Sequence, residues 1–422
     1  MRRQNHKHQV EAGLQPALST NRHETCPTLT IQDVAYGGRG VGRLESGKVC
    51  FVPGTLPGET VRVRMIRERD DFAEARLHEV LAPSPFRIAP ACPLAFACLS
   101  AANNPTSPLS HPPFPGNHSP PYCPGCAYQH VAYEEEVRLK QQQLASLLSR
   151  QAGIDSSVLQ PPVPAPQPLA YRNKLSLHVQ KDGRDTRLGY FAEDNQTVLD
   201  VPACPLANPA LNARLAELRN DASFLHGLRD GLTLTFRHTE REAAVWWRGE
   251  ARPTETWLTE TTRLGSLAVP RGSFFQVNPM VADLLLGRIM DALQVCAPQT
   301  VIDLYCGVGL FALAAAKAGV PETIGVDVDG PGIAAAEHNA RKLNLTGIRW
   351  KAATAQEALA RLGPTMKTDS TALIVDPPRN GLGRDLVRDI LQHPPRYLLY
   401  ISCAPDTMAR DVAWLGEGGY RP

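Results

Sequence analysis

The stretch Val301-Ile302-Asp303-Leu304-Tyr305-Cys306-Gly307-Val308-Gly309-Leu310-Phe311 runs from apolar residues through two glycines into a second apolar run. It reads as a buried strand, Val301 to Tyr305, that turns on glycine and opens a helix reaching about Ala318. Such a turn lets main chain approach a nucleotide-like ligand at the carboxyl edge of a sheet. A Gly-x-Gly alone also serves any tight strand-to-helix connection. The next strand, Thr323 to Val328, adds Asp327 about twenty residues on, where a ribose with two hydroxyls calls for an acceptor. A helix from Pro331 to Leu343 and strands Ala372 to Val375 and Tyr397 to Ser402 continue the alternation. Residues 271–422 are therefore expected to form an α/β, Rossmann-like doubly wound sheet. An NAD-binding domain reads the same way, so the chemistry must come from downstream residues.

Downstream stands Ile374-Val375-Asp376-Pro377-Pro378-Arg379-Asn380-Gly381-Leu382. Two prolines fix the backbone and remove two donors, leaving a rigid carboxylate, Asp376, at the sheet edge beside the crevice. Cys403 follows the run Leu398-Leu399-Tyr400-Ile401, which brings it to the same edge.

Working toward the N-terminus, residues 171–250 alternate with a period of two, as in Lys174-Leu175-Ser176-Leu177-His178-Val179, and suggest a second β-rich module. A helix is expected from Tyr133 to about Arg150, with Val137, Leu144, Leu147 and Leu148 near one face. Residues 99–122, rich in Pro, Ser, Asn and His, mark a flexible surface insertion. Short β runs at Leu29 to Ile31, Val49 to Val52 and Val61 to Ile66, parted by Gly and Pro, read as a small β-barrel over residues 26–83. The period of two sends Arg62 and Arg64 to one face, available to phosphate, while the valines pack inward. A merely solvated barrel face has the same pattern. Residues 1–25 hold too few apolar side chains to offset ordering entropy and are expected to be a disordered arm.

The 422 residues exceed one hydrophobic core, and residues 84–270 form the expected central domain. With 44 basic and 42 acidic residues, a formal charge of +2, a polyanion would be held by local clusters and not by a global field. No stretch approaches the roughly 18 apolar residues of a membrane span, so a cytoplasmic protein with no membrane partner is expected, as a monomer. Ten cysteines without a secretion signal suit thiols used as ligands or nucleophiles. Half of them, Cys92, Cys98, Cys123, Cys126 and Cys204, precede the α/β region. Cys123-Pro124-Gly125-Cys126 has ligand spacing that zinc or an iron–sulfur cluster could use.

Four ordered motifs carry a resemblance: Phe274-Phe275-Gln276-Val277-Asn278, the Asp303 to Phe311 turn, Asp376 to Leu382, and Tyr400-Ile401-Ser402-Cys403-Ala404-Pro405-Asp406-Thr407 with its continuation to Asp411. Together they resemble the RNA 5-methyluridine methyltransferase family, and Leu29 to Val80 resembles the RNA-binding TRAM domain of its ribosomal-RNA members. The resemblance covers the chain from about residue 28 onward. It implies S-adenosylmethionine as cofactor and Gln276, Tyr305, Asp327 and Asp376 as residues that contact it, with Gly307 and Gly309 in the turn and Thr354 and Leu310 at more variable positions. It implies Cys403 as nucleophile, with Asp376 beside it. Carbon 5 of uracil is a weak nucleophile, and a thiolate adding to carbon 6 raises its electron density. The base must leave its stack to meet both thiol and methyl donor, so the expected partner is RNA, 23S ribosomal RNA in an unpaired or opened segment.

The resemblance also implies a [4Fe-4S] cluster on four cysteines. Cys204 takes the distant position, and either Cys98 or Cys123 the second, with Cys123 favoured because ligands close on one turn cost least closure entropy. Two departures stand out. Ala404 replaces the family's usual Asn, and the glutamate base that the family carries beyond the Gly418-Gly419-Tyr420 turn is not reached before Pro422. Alternative readings are a tRNA uridine C5-methyltransferase, an RNA-binding relative without turnover, and an NAD-dependent oxidoreductase.

Overall fold

The computed structural model describes residues 26–95, 122–183, 185–249 and 257–422. The N-terminal arm, Cys98 and all of the expected insertion but Tyr122 lie outside the described residues.

Five strands, β1 (Thr28–Ala35), β2 (Arg39–Arg43), β3 (Val49–Pro53), β4 (Thr60–Glu68) and β5 (Phe72–Ala82), close into a barrel of order β1-β2-β3-β5-β4. Alternation drives it: Val61 and Val63 are wholly buried with Leu29, Ile31, Cys50 and Val52, while the residues between them face out. Of the two outward arginines, Arg62 is less open to phosphate than its spacing suggests. Arg62 pairs with Glu79 across the sheet at 2.5 Å, and Arg64 stands in register with Arg76.

Helix α1 (Tyr133–Ala152) carries three glutamates in its first turn and ends at Gly153 in the left-handed region, a charge pattern and a stop that suit a helix dipole and C-cap. A second sheet comes next: β6 (Lys174–Asp182), β7 (Asp185–Phe191), β8 (Val198–Asp200), β9 (Thr233–Thr239) and β10 (Ala243–Arg248), in the antiparallel order β10-β9-β6-β7-β8. Leu175, Leu177, Leu234 and Phe236 pack there against Leu211, Leu215 and Leu218 of α2 (Pro209–Asn220) and Phe224 of α3 (Ala222–His226).

The hairpin of β11 (Trp257–Thr262) and β12 (Gly265–Pro270) precedes residue 271 yet packs with the α/β unit. Leu267 and Val269 share a core with Val301 and Leu313, and Asn339 makes two hydrogen bonds to the Ala268 backbone, at 2.7 and 3.0 Å. A boundary at 270 therefore cuts through a packed unit. The strands of its sheet are β13 (Thr300–Leu304), β14 (Glu322–Asp327), β15 (Ile348–Ala352), β16 (Thr371–Val375) and β17 (Tyr397–Tyr400), all parallel, in the order β15-β14-β13-β16-β17. Its helices are α4 (Pro279–Cys296), α5 (Leu310–Lys317), α6 (Gly330–Lys342), α7 (Ala355–Leu362), α8 (Gly383–Gln392) and α9 (Pro405–Glu417). The order reverses between β13 and β16, and this is where an α/β sheet opens a crevice at its carboxyl edge. No helix among the described residues is long and apolar enough to cross a membrane.

Candidate active site

The crevice is built on Asp303, whose side chain is fully buried beneath the glycine turn. Its Oδ2 accepts the Ala312 N–H at 2.8 Å, and desolvation holds its carboxyl well above the usual carboxylate range. The chain leaves β13 through Tyr305 at φ +67°, a left-handed conformation that costs a residue with a Cβ about 1–2 kcal/mol. Gly309, at φ +87°, must be glycine for a second reason. A Cβ there would stand 2.6 Å from the Trp350 ring and 2.9 Å from Ala336.

Asp327 fastens this turn. Its two oxygens accept the N–H groups of Gly307 and Asp329, each at 2.8 Å, so the expected ribose acceptor already serves the backbone and would share its remaining lone pairs. Gln276, Tyr305, Gly307, Leu310 and Asp376 line one narrow cleft, together with Phe274 and Phe275. Thr354 is not among them. It caps α7, accepting the Glu357 N–H at 3.2 Å in a capping box. Burial raises the Asp376 carboxyl to about 6.

Asp376 lies one residue beyond β16, and Cys403 three residues beyond the neighbouring β17. Val375 and Tyr400 are paired in register, and the Ile401 N–H reaches the Val375 carbonyl at 2.8 Å. Both groups thus emerge at the carboxyl edge of adjacent strands, with the Cys403 thiol exposed. The first turns of α9 strap onto the Asp-Pro-Pro loop. Thr407 donates to the Arg379 carbonyl at 2.9 Å, Arg410 to that of Asn380 at 2.8 Å, and buried Asp411 accepts from Leu382 and Tyr400. In the sequence Asp411 is only the end of a motif, because no pattern in one chain shows that a helical aspartate turns inward.

A second support is the ion pair of Arg237 and Glu260, both buried, at 2.7 Å. The Arg237 guanidinium sits 5.6 Å from the centre of the Phe275 ring, and Asn173 hydrogen-bonds Val277 and Gln276 through their carbonyls. These residues hold the Gln276 segment against the cleft. In sequence they read as ordinary outward polar positions of strands.

Cys92, Cys123, Cys126 and Cys204 surround one cavity of about 360 Å³, which Arg379 of the Asp-Pro-Pro loop also lines. Burial, and then the neighbouring thiols, push Cys126 up to about 11. Among the described residues no three His, Cys, Asp or Glu side chains come together closely enough to share one metal ion.

Residues 262–418 match the model of the tRNA (uracil-5-)-methyltransferase family, and residues 27–78 that of the TRAM domain. A curated relative, the 23S rRNA (uracil(1939)-C(5))-methyltransferase RlmD of Halomonas elongata, is 32% identical over 93% of this chain and 84% of its own length. The chain belongs to the RNA (uracil-5-)-methyltransferase family. An RlmD of Pseudomonas aeruginosa is 29% identical over 96% of this chain and 90% of its own. The tRNA (uracil-54, C5)-methyltransferase of Pyrococcus abyssi, solved with S-adenosyl-L-homocysteine, shares the fold with a TM-score of 0.64 at 21% identity, covering 92% of each chain. Membership in the RNA (uracil-5-)-methyltransferases makes RNA the substrate and sets the nicotinamide reading aside.

Proposed function

We propose that this chain methylates carbon 5 of a uridine in 23S ribosomal RNA, taking the methyl from S-adenosylmethionine and using Cys403 as a covalent nucleophile. The observation that carries the reading is that Asp376 and the exposed thiol of Cys403 follow adjacent, in-register parallel strands out of the same edge of the sheet. Cys403 Sγ adds to carbon 6, and the electron density so placed on carbon 5 takes the methyl from the sulfonium, releasing S-adenosylhomocysteine. A base removes the proton of carbon 5, the bond between Sγ and carbon 6 breaks, and the thiolate returns. Gln276, Tyr305, Asp327 and Asp376 would hold the cofactor together with the Gly307 to Gly309 turn, and Asp376 would also serve the base. The choice of 23S over transfer RNA rests on the TRAM domain and the two RlmD relatives.

Cys92, Cys123, Cys126 and Cys204 line one cavity, and these four thiols are the ones that would hold a [4Fe-4S] cluster. A cluster would tie the segments around residues 92, 123–126 and 204 together as a structural knot.

The test is to incubate the protein with unmodified 23S transcript, transfer RNA, and 5-fluorouridine-substituted versions of each, with methyl-labelled cofactor. A stable, methyl-bearing adduct on the 23S transcript that disappears in Cys403→Ser is the expected result. Labelling of transfer RNA alone would move the substrate to the tRNA branch, and binding without any adduct would leave an RNA-binding relative.

A further inference from the structure

We propose that the ring of Tyr36, in the β1–β2 loop of the barrel, is a stacking surface for a base next to the reacting uridine. The inference rests on the RNA-methylating reading above and extends its site to a residue of the TRAM domain. Tyr36 is 41% exposed, yet its hydroxyl lies within electrostatic reach of Asp406, Arg379 and Cys403; burial, then Asp406, raises its pKa and keeps it protonated. A barrel residue therefore stands within electrostatic range of Cys403.

The loop is held there. Gly37 and Gly38 turn it at φ +91° and +83°, and Gly38 seats so tightly on the segment after Cys126 that a Cβ would come 2.7 Å from that of Ala127. Gln143 of α1 donates to the Val34 carbonyl at 3.0 Å, and α1 packs Leu147 and Leu148 on Ala409 of α9, the helix that begins two residues after Cys403. The neighbouring cation is directed elsewhere: Arg39 lies over the Phe51 ring and pairs with Glu74. What the loop offers the site is an aromatic face. A uridine drawn out of its stack to reach Cys403 leaves an adjacent base with a bare face, and a fixed aromatic ring recovers that stacking without having to be ordered on binding.

The experiment compares wild type, Tyr36→Ala and Tyr36→Phe on unmodified 23S transcript and on a synthetic oligonucleotide spanning the methylated uridine. Tyr36→Ala should weaken RNA binding by roughly 5- to 150-fold, the range that aromatic–base stacking supplies, with cofactor affinity unchanged. Tyr36→Phe, which keeps the ring, should restore binding to within about threefold. Abasic substitution at one flanking nucleotide should weaken wild type by the same factor and leave Tyr36→Ala no weaker still. Equal binding by Tyr36→Ala, a defect in Tyr36→Phe as large as in Tyr36→Ala, or losses that multiply at every flanking position would each overturn the proposal. Wild type that methylates no RNA would instead remove the functional reading on which it rests.

Discussion

The buried carboxylate of Asp411 accepts the backbone N–H of Leu382 at 2.7 Å, joining the helix that comes after Cys403 to the loop that comes after Asp376. The same Oδ2 takes the Tyr400 hydroxyl at 2.7 Å, and Oδ1 takes two donors of Arg410. Replacing Asp411 with Ala leaves these donors without a partner and should cost about 3 kcal/mol, since hydrogen bonds to charged groups are worth about 1.5–3 kcal/mol each and are not additive. Urea unfolding measures the loss. Methyl transfer should fall even where the variant is folded, whereas full activity would show that the two loops hold their places without it.

Asp376 carries a pH signature. Its pKa is about 6 in the fold against an ordinary 3.8, so between these values the folded chain keeps a proton that the unfolded chain has released. Stability then falls as pH rises through that window, and above it the ionised carboxylate costs about 3 kcal/mol. Asp376→Asn should melt higher than wild type at pH 7.5 and at the same temperature near pH 4. Parallel melting curves across that range would contradict a strained carboxylate.

The Arg237–Glu260 pair predicts an asymmetry between single and double variants. Glu260→Ala strands a buried guanidinium and should cost about 3–5 kcal/mol, while Arg237→Met with Glu260→Leu should recover most of it. Because the pair sits under Phe275, the single variant should also raise the cofactor's KM. An unchanged KM in a folded Glu260→Ala protein would confine the pair to stability.

The two turn glycines should behave differently. At Gly307, φ +54° with nothing within 4 Å, alanine meets only backbone strain, about 1–2 kcal/mol. At Gly309 the added methyl also meets Trp350 and Ala336, so Gly309→Ala should be the more destabilised and bind cofactor more than tenfold less tightly. Calorimetric titration of both variants decides the order.

Much of the α/β unit is legible in the sequence because period and punctuation agree. The strand runs around Ile302, Ile324 and Ile374 are mostly apolar, as strands covered on both faces must be, and glycine or proline follows each within two or three residues. The strand at Ile348 is not legible in this way, since Arg349 and Lys351 dilute it. Helix α4 is legible, its buried Ala282, Leu286, Ile289 and Leu293 recurring at helical spacing after Asn278-Pro279, although it is not among the elements expected above. Of the motif residues singled out in the sequence, Gln276, Tyr305, Gly307, Leu310 and Asp376 line one cleft, whereas Asp327 holds the glycine turn and Thr354 caps a helix. The supports of the site leave no such trace. Asp411, Arg237 and Glu260 acquire their meaning from partners dozens of residues away or from helix rotation, neither of which a local pattern encodes.

The amide of Gln143 joins the Val34 carbonyl at one end and accepts the Tyr128 hydroxyl at the other, 3.0 Å each way. Barrel and long helix are thereby fixed to one another, and the packing of Leu147 and Leu148 on Ala409 ties that helix in turn to the one after Cys403. On the proposed reading the adjustment on docking falls to the nucleic acid: a transcript whose loop is stiff, or wrongly folded around the target, should be methylated more slowly than a pliant one.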